Sequence, residues 1–361
     1  MRRFYQALIL AIVLSACVPP YTSAPTSLPT SLPTGTSMPP TPEPTSTPEP
    51  TLTPVTAVRL NRGVNFGNML EAPNEGDWDL TVQEEYFDLV KEAGFDFIRL
   101  PVRWNTHTED EWPYTIDPAF FARIDQVVSW ALERNLTIIV DFHHYDEIMT
   151  DPWSHKDRFL GIWKQVADHY ENYPSSVLFE LLNEPNTTFD AQLWNQYLTE
   201  ALAIVRESNP TRDVIIGPVN WNAYDWLSTL DVPNDEYLIV TFHYYLPFQF
   251  THQGAEWVGD ESTQWLGTEW GSVEEKVDVI KHFDSVADWA QRHGKVRILL
   301  GEFGVYDVAP HESRIHWTKF VREQAENHGF AWAYWELASG FGVYDPDAKV
   351  WRKDLLKALI P

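Results

Sequence analysis

From residue 59 to the C-terminus, short apolar runs alternate with longer segments whose apolar residues recur every three or four positions. Arg62–Phe66, Phe95–Pro101, Thr137–Phe142, Val177–Leu182, Val214–Pro218, Leu238–His243, Val296–Gly301 and Ala331–Trp335 are too short for helices. Turn residues bound them, so they read as strands buried on both faces. Between them, Val82–Ala93, Phe120–Arg134, Arg158–Tyr170, Leu193–Glu207, Val273–Arg292 and Ile315–Asn327 carry the helical period. Eight strands in alternation with helices predict an α/β chain folded as a single closed (β/α)8 TIM barrel over residues 58–361. No second globular domain and no shorter repeat is predicted.

One run organises the rest. Val177 to Leu182 is a buried strand whose end carries Asn183, Glu184 and Pro185, and a proline cannot extend a ladder. A second run, Val296 to Gly301, ends in Glu302. Two buried strands that each end in a glutamate suggest a pair of cooperating carboxylates. In a barrel the chemistry sits at the carboxyl ends of the strands. Those ends carry Asn68 and Glu71, Arg99, His143 and His144, Asn183 and Glu184, His243 and Tyr245, Glu302, and Trp335 and Glu336. The strands between are read as apolar, with the polar groups gathered at one rim.

The first 57 residues have a different composition. A basic start (Arg2, Arg3) and an apolar stretch from Gln6 to Ala16 have the layout of an export signal over residues 1–16. It closes on Leu14-Ser15-Ala16-Cys17, which resembles the lipobox of bacterial lipoproteins and makes Cys17 the lipidation candidate. Cys17 is the sole cysteine, so no internal disulfide forms. Residues 17–57 are mostly Pro, Thr and Ser, a composition that buries too little apolar surface to fold. Extended at about 3.1 Å per residue, this lipid-anchored linker would reach on the order of 100 Å. The expected location is the bacterial cell envelope or surface, or outside the cell, with the membrane met only through the anchor. A net charge of −26 repels nucleic acid, and no glycine-rich phosphate loop follows a strand, so no cofactor is expected.

The rim motifs together are specific. Phe-Ile-Arg99-Leu-Pro, Asp-Phe-His143-His144, Leu-Asn183-Glu184-Pro185, Phe-His243-Tyr-Tyr245, Gly-Glu302-Phe-Gly and Tyr-Trp335 resemble the signature set of glycoside hydrolase family 5, the cellulase and mannanase family. The match runs in order from about Leu60 to Pro361. Gly67-Asn68-Met-Leu-Glu71 and Thr251-His252-Gln-Gly-Ala-Glu256-Trp257 resemble a bacterial endoglucanase branch, which includes thermophilic enzymes active on glucan and mannan. The resemblance implies a monomeric retaining endo-β-1,4-glucanase acting on cellulose, β-glucan or glucomannan. Glu184 would be the acid/base and Glu302 the nucleophile. Arg99 beside Glu302 would keep its pKa low, Tyr245 would donate to it, and His243 would tune Glu184. Asn183 would meet the sugar 2-hydroxyl, His143 would support catalysis, and Trp335 would offer a flat face to a pyranose ring. Asn68, Glu71, His144, His252, Trp257 and Glu336 would bind substrate.

Two alternatives within the family are a primary mannanase and a mixed-linkage glucanase. A metal-dependent barrel hydrolase would need ligands on the first strand, often a His-x-His pair, whereas that strand ends near Asn68, so no metal is expected. A carbohydrate-binding protein that has lost catalysis would be expected to lack one of the two glutamates. Both are present.

Overall fold

The computed structural model describes residues 58–361, so the signal segment, the linker and Cys17 lie outside the described residues. Eight strands, β1 (Arg62–Asn65), β2 (Phe97–Val102), β3 (Thr137–Phe142), β4 (Val177–Glu180), β5 (Val214–Ile216), β6 (Leu238–Tyr244), β7 (Arg297–Phe303) and β8 (Ala331–Tyr334), pair in parallel and in chain order. β8 closes on β1, which completes the expected barrel. The helices are α1 (Glu84–Ala93), α2 (Pro118–Glu133), α3 (Asp146–Thr150), α4 (Pro152–His169), α5 (Ala191–Ser208), α6 (Val219–Asn222), α7 (Phe248–Thr251), α8 (Val273–Arg292), α9 (His311–Asn327) and α10 (Lys353–Leu359). A small antiparallel hairpin, β9 (Tyr344–Asp345) with β10 (Val350–Trp351), follows β8 and was not predicted. Among the described residues no helix is long and apolar enough to cross a membrane.

Capping sets where the long helices start. Asp117 accepts from the Ala119 amide ahead of Pro118, and Asp151 from the Ser154 amide ahead of Pro152. Asp190 accepts from the Leu193 amide, and Ser272 with Glu275 forms a reciprocal box. This is why α4 begins at Pro152 rather than at Arg158, where its apolar period becomes legible.

The barrel interior is layered. At the bottom Phe97, Ile139, Leu178, Ile215, Ile239, Leu299 and Ala333 form an apolar plug. β1 adds Gly63 there because any Cβ would lie 2.3 Å from the Phe97 ring. The alternate strand residues face outward and pack under the helices in a much larger cluster. One layer above the plug the inward positions turn polar, with Asn65, Arg99, Asp141, Glu180 and Thr241, each 0% exposed. The expectation of apolar strands with polar groups only at the rim is therefore corrected. A whole interior layer is polar, and it holds up the site.

β7 departs from simple alternation. Phe242 of β6 pairs with Leu300, and the next residue, His243, pairs with Glu302, so Gly301 has no partner of its own. Leu300 and Phe303 both belong to the outer cluster, yet Glu302 bonds to Arg99 inside the barrel. Gly301 and Glu302 thus both face inward in a bulge. A Cβ on Gly301 would lie 2.4 Å from Thr241 Oγ1 and 3.0 Å from His243 Nε2, so this position has room only for glycine.

Candidate active site

Arg99 is the hub of the polar layer. Its Nε and Nη2 reach Glu180 at 2.7 and 2.9 Å, and Nη1 reaches Asn65 Oδ1 at 2.9 Å and Glu302 Oε1 at 2.7 Å. Nη2 also donates to Asn183 Oδ1 at 2.8 Å and lies 3.0 Å from Asp141 Oδ2. Burial opposes the guanidinium charge, but Asp141, Glu180 and Glu302 outweigh it and hold Arg99 above its ordinary range. Burial in turn raises Glu180 and lifts Asp141 to about 7, with Arg99 opposing both shifts. A buried charge with this many partners is costly to assemble and more costly to break.

The two glutamates converge above this hub. Glu184 follows β4 with a left-handed backbone, φ 48°, and Glu302 comes from the β7 bulge. A carboxylate oxygen of one lies within 4.8 Å of a carboxylate oxygen of the other, and His243 sits between them. His243 Nδ1 is 2.7 Å from Glu184 Oε1 and 3.6 Å from Glu302 Oε2. Tyr245 donates its hydroxyl to Glu302 Oε2 at 2.9 Å.

Burial pushes Glu184 up to about 8, with Arg99 opposing and Asp141 and Glu180 adding to the rise. Glu302 rises to about 7, again by burial, against His243, Arg99 and the Tyr245 hydrogen bond. The expectation that Arg99 keeps the Glu302 pKa low is corrected. Arg99 divides its charge among three buried carboxylates, and desolvation wins. What Arg99, His243 and Tyr245 do is oppose that rise at Glu302. His243 is lowered by burial to about 4 and is neutral.

Other residues line the wall and floor. His143 gives Nδ1 to Asp141 Oδ2 at 2.6 Å, and its ring lies parallel to Trp335 with 5.7 Å between centroids. His144 meets the His143 ring edge-on at 4.4 Å and the Trp78 ring at 5.7 Å. The Asn183 amide is oriented by Arg99 through its oxygen, so its NH₂ is the end left for a ligand. Asn68 bonds Ser339 Oγ at 3.0 Å, and Trp257, 63% exposed, leans edge-on against Tyr306.

Three residues expected to bind substrate sit deeper. Glu71 is fully buried, accepts the Asn68 and Met69 amides, and is raised to about 8 by burial. Glu336 is 1% exposed and accepts the Phe341 amide at 3.4 Å. Both carboxyls lie buried beside the β1 and β8 loops, where Glu71 holds the amides of its own loop and Glu336 that of Phe341. His252 is likewise buried, stacked on Phe248 at 4.1 Å and edge-on to Tyr245 at 5.0 Å.

Four contributors were not anticipated: Asn65, Asp141, Glu180 and Asn222. Asp141 and Glu180 had a signal, since a charge inside a strand buried on both faces must have a partner. Asn65 and Asn222 had none. Glu184, His243 and Glu302 are close enough to gather a cation, but Arg99 already places a permanent positive charge 2.7 Å from Glu302. β1, where metal-dependent barrels carry ligands, presents Gly63 and an Asn65 whose amide is spent on Arg99 and three backbone carbonyls.

The structure is similar to that of Thermotoga maritima Cel5A, solved in complex with mannotriose and with cellobiose. Identity is 48% and the TM-score 0.82, over 83% of this chain and 97% of that one. Cellulose synthase subunit Z from Clostridioides difficile is 44% identical with a TM-score of 0.82, over 84% of this chain and 100% of that one. Endoglucanase H of Acetivibrio thermocellus is 39% identical over 331 residues, 90% of this chain, which spans only 35% of that longer protein. The family model described as cellulase, glycosyl hydrolase family 5, matches residues 62–340, so most of the barrel and all of the clustered rim residues fall within it. The chain belongs to glycosyl hydrolase family 5.

Proposed function

We propose that this protein is a retaining endo-β-1,4-glucanase that cuts internal bonds of β-glucans by double displacement. The observation that carries it is the carboxyl pair. Retaining enzymes hold their two carboxyls about 5–5.5 Å apart, and inverting ones about 6.5–9.5 Å apart to admit a water. An oxygen-to-oxygen approach within 4.8 Å fits the first case. Glu302, which accepts from Arg99 and Tyr245, attacks the anomeric carbon as a carboxylate while Glu184 protonates the departing glycosidic oxygen. Glu184, now ionised, then takes a proton from the water that releases the sugar. Asn183, with its oxygen tied to Arg99, offers its NH₂ to the 2-hydroxyl, a bond that strengthens as the oxocarbenium-like charge develops.

The glucanase names of the relatives and the cellobiose complex of Cel5A support glucan as substrate. The mannotriose complex of the same protein supports tolerance of mannose-containing backbones. Carboxymethylcellulose, mixed-linkage glucan, glucomannan and galactomannan, with products sized by chromatography, separate this reading from a primary mannanase or mixed-linkage glucanase. Release of monosaccharide alone would refute the endo action.

The roles of the glutamates have their own test. Glu184→Ala should lose far more activity on polysaccharide than on a nitrophenyl glycoside, whose leaving group needs no proton. Glu302→Ala should be nearly inactive on both. General acid help is worth about 10² to 10⁴ in rate, so the contrast is large. Equal losses across both variants and both substrates, with folding intact, would show the roles to be wrong.

We propose further that the protein acts as a monomer and is held at the cell envelope by lipid on Cys17. Cys17→Ala should move it from the detergent to the aqueous phase and leave turnover of soluble substrate unchanged.

A further inference from the structure

Behind His243, on the side away from Glu184, lies Asn222. Three consecutive residues, Asn220, Trp221 and Asn222, hold left-handed backbones (φ 61°, 58° and 51°) in the short α6 segment after β5, which is therefore not a regular helical turn. Such conformations are unfavourable for side-chain-bearing residues and persist where the surroundings impose them. The loop is pinned on both sides. The Trp221 amide donates to Pro185 O at 3.3 Å, next to Glu184, and Ala223 bridges to His243 on β6. The result is a fully buried Asn222 amide 3.4 Å from His243 Nε2. Gly217 keeps that space open, because a Cβ there would lie 2.5 Å from Asn222 Oδ1.

We infer that Asn222 is a positioning residue for Glu184, acting through His243, an inference that rests on Glu184 being the acid/base. The neutral imidazole has one N–H and one bare nitrogen, and the group facing each nitrogen decides which is which. The Asn222 NH₂ faces Nε2 and donates to it, so the proton belongs on Nδ1, where it points at Glu184 Oε1 at 2.7 Å. In that tautomer His243 donates to Glu184 Oε1 and fixes the orientation of the carboxyl, which leaves Oε2 to carry the proton delivered to the departing oxygen. Among the described residues Asn222 Oδ1 has no hydrogen-bond partner, so the contact with Nε2 is the one that orients the amide. The charged and titratable groups around His243 are Glu184, Glu302, Glu180, Arg99 and His143, and none of them faces Nε2 through a hydrogen bond.

The direct measurement is nitrogen-15 NMR of the His243 ring in the wild-type protein at neutral pH. A protonated Nδ1 and a bare Nε2 are expected, and a protonated Nε2 overturns the inference. The variant measurement uses Asn222→Gly, which tolerates the left-handed backbone and removes the amide. Activity on polysaccharide should fall about tenfold, with cleavage of the glycosidic bond of a dinitrophenyl glycoside little affected. The alkaline limb of kcat/KM, set by Glu184, should move upward because its carboxylate loses a fixed donor. A purely structural role would lower the melting temperature and both activities together without moving that limb, and that result overturns the inference. If Glu184→Ala loses both substrates equally, the acid/base reading itself fails. If Glu184→Ala behaves as expected and Asn222→Gly matches wild type, only the role of Asn222 fails.

Discussion

Replacing Arg99 with methionine tests the hub directly. Methionine fills much of the volume but removes all five hydrogen bonds and the ion pair to Asp141. Asp141, Glu180 and Glu302 are then left buried with no guanidinium, and breaking a buried pair from one side costs about 3–5 kcal/mol. Domains are typically stable by about 5–15 kcal/mol, so Arg99→Met should fold but with a reduced margin. At about 2–4 °C per kcal/mol for somewhat smaller domains, the melting temperature should fall on the order of 10 °C. The pH dependence carries a sign. Burial already holds these three carboxyls above their ordinary values, and losing Arg99 raises them further. A carboxyl whose folded pKa exceeds its unfolded one contributes stability at low pH and loses it as pH rises through the folded value. The gap in melting temperature between variant and wild type should therefore widen from pH 5 to pH 8, as followed by circular dichroism. A fall below about 2 °C, or an equal gap at both pH values, would refute the hub.

Two further substitutions probe the upper layer. Tyr245→Phe removes a hydroxyl that favours ionised Glu302, and a bond to a charged group is worth about 1.5–3 kcal/mol. The acid limb of kcat/KM should therefore move up by about 1–2 pH units; an unmoved limb would mean that the bond does not hold in solution. Gly301→Ala forces a methyl against Thr241 Oγ1 and His243, an overpacking cost of about 1–3 kcal/mol. Because the far end of that contact is His243, activity should drop by more than stability implies, and a stable, fully active variant would contradict the tight fit.

Much of the fold was legible because a parallel barrel writes each strand as an isolated apolar run. The rim residues were legible because strand ends carry the chemistry. Glu184, Glu302, His243, Tyr245 and Arg99 all meet as their positions suggested. The interior layer was harder. In Val-Leu-Phe-Glu180, three apolar residues carry the pattern and the glutamate reads as the end of the run, yet it is the inward partner of Arg99. Asp141 was hidden the same way in front of Phe142. Glu71, Glu336 and His252 sit deeper than their places in the sequence suggest. Their place in the sequence is a rim loop, but whether a loop side chain points up to a substrate or down to brace its own backbone depends on packing that no local pattern records. The Glu302 pKa could not be inferred from its neighbour Arg99 alone, since that requires knowing how many other carboxylates share the same charge. Asn222 lies in a loop whose left-handed run is imposed by contacts with Pro185 and His243, distant in sequence.

The unpaired Gly301 bears on stereochemistry. A strand advances in steps of about 3.3 Å, so side chains on a regular barrel can be relocated along its axis only in those increments. The gap between the retaining and inverting carboxyl separations begins at about 1 Å, finer than one such step. By inserting one residue without a side chain, the bulge breaks the regular repeat of β7 and turns Glu302 inward beside Arg99 and His243. Exchanging the two positions, glutamate at 301 and glycine at 302, would keep the composition and the length of the strand. A side chain at 301 has no room against Thr241 Oγ1, so the exchange would cost the barrel stability as well as take the carboxylate from its place beside His243.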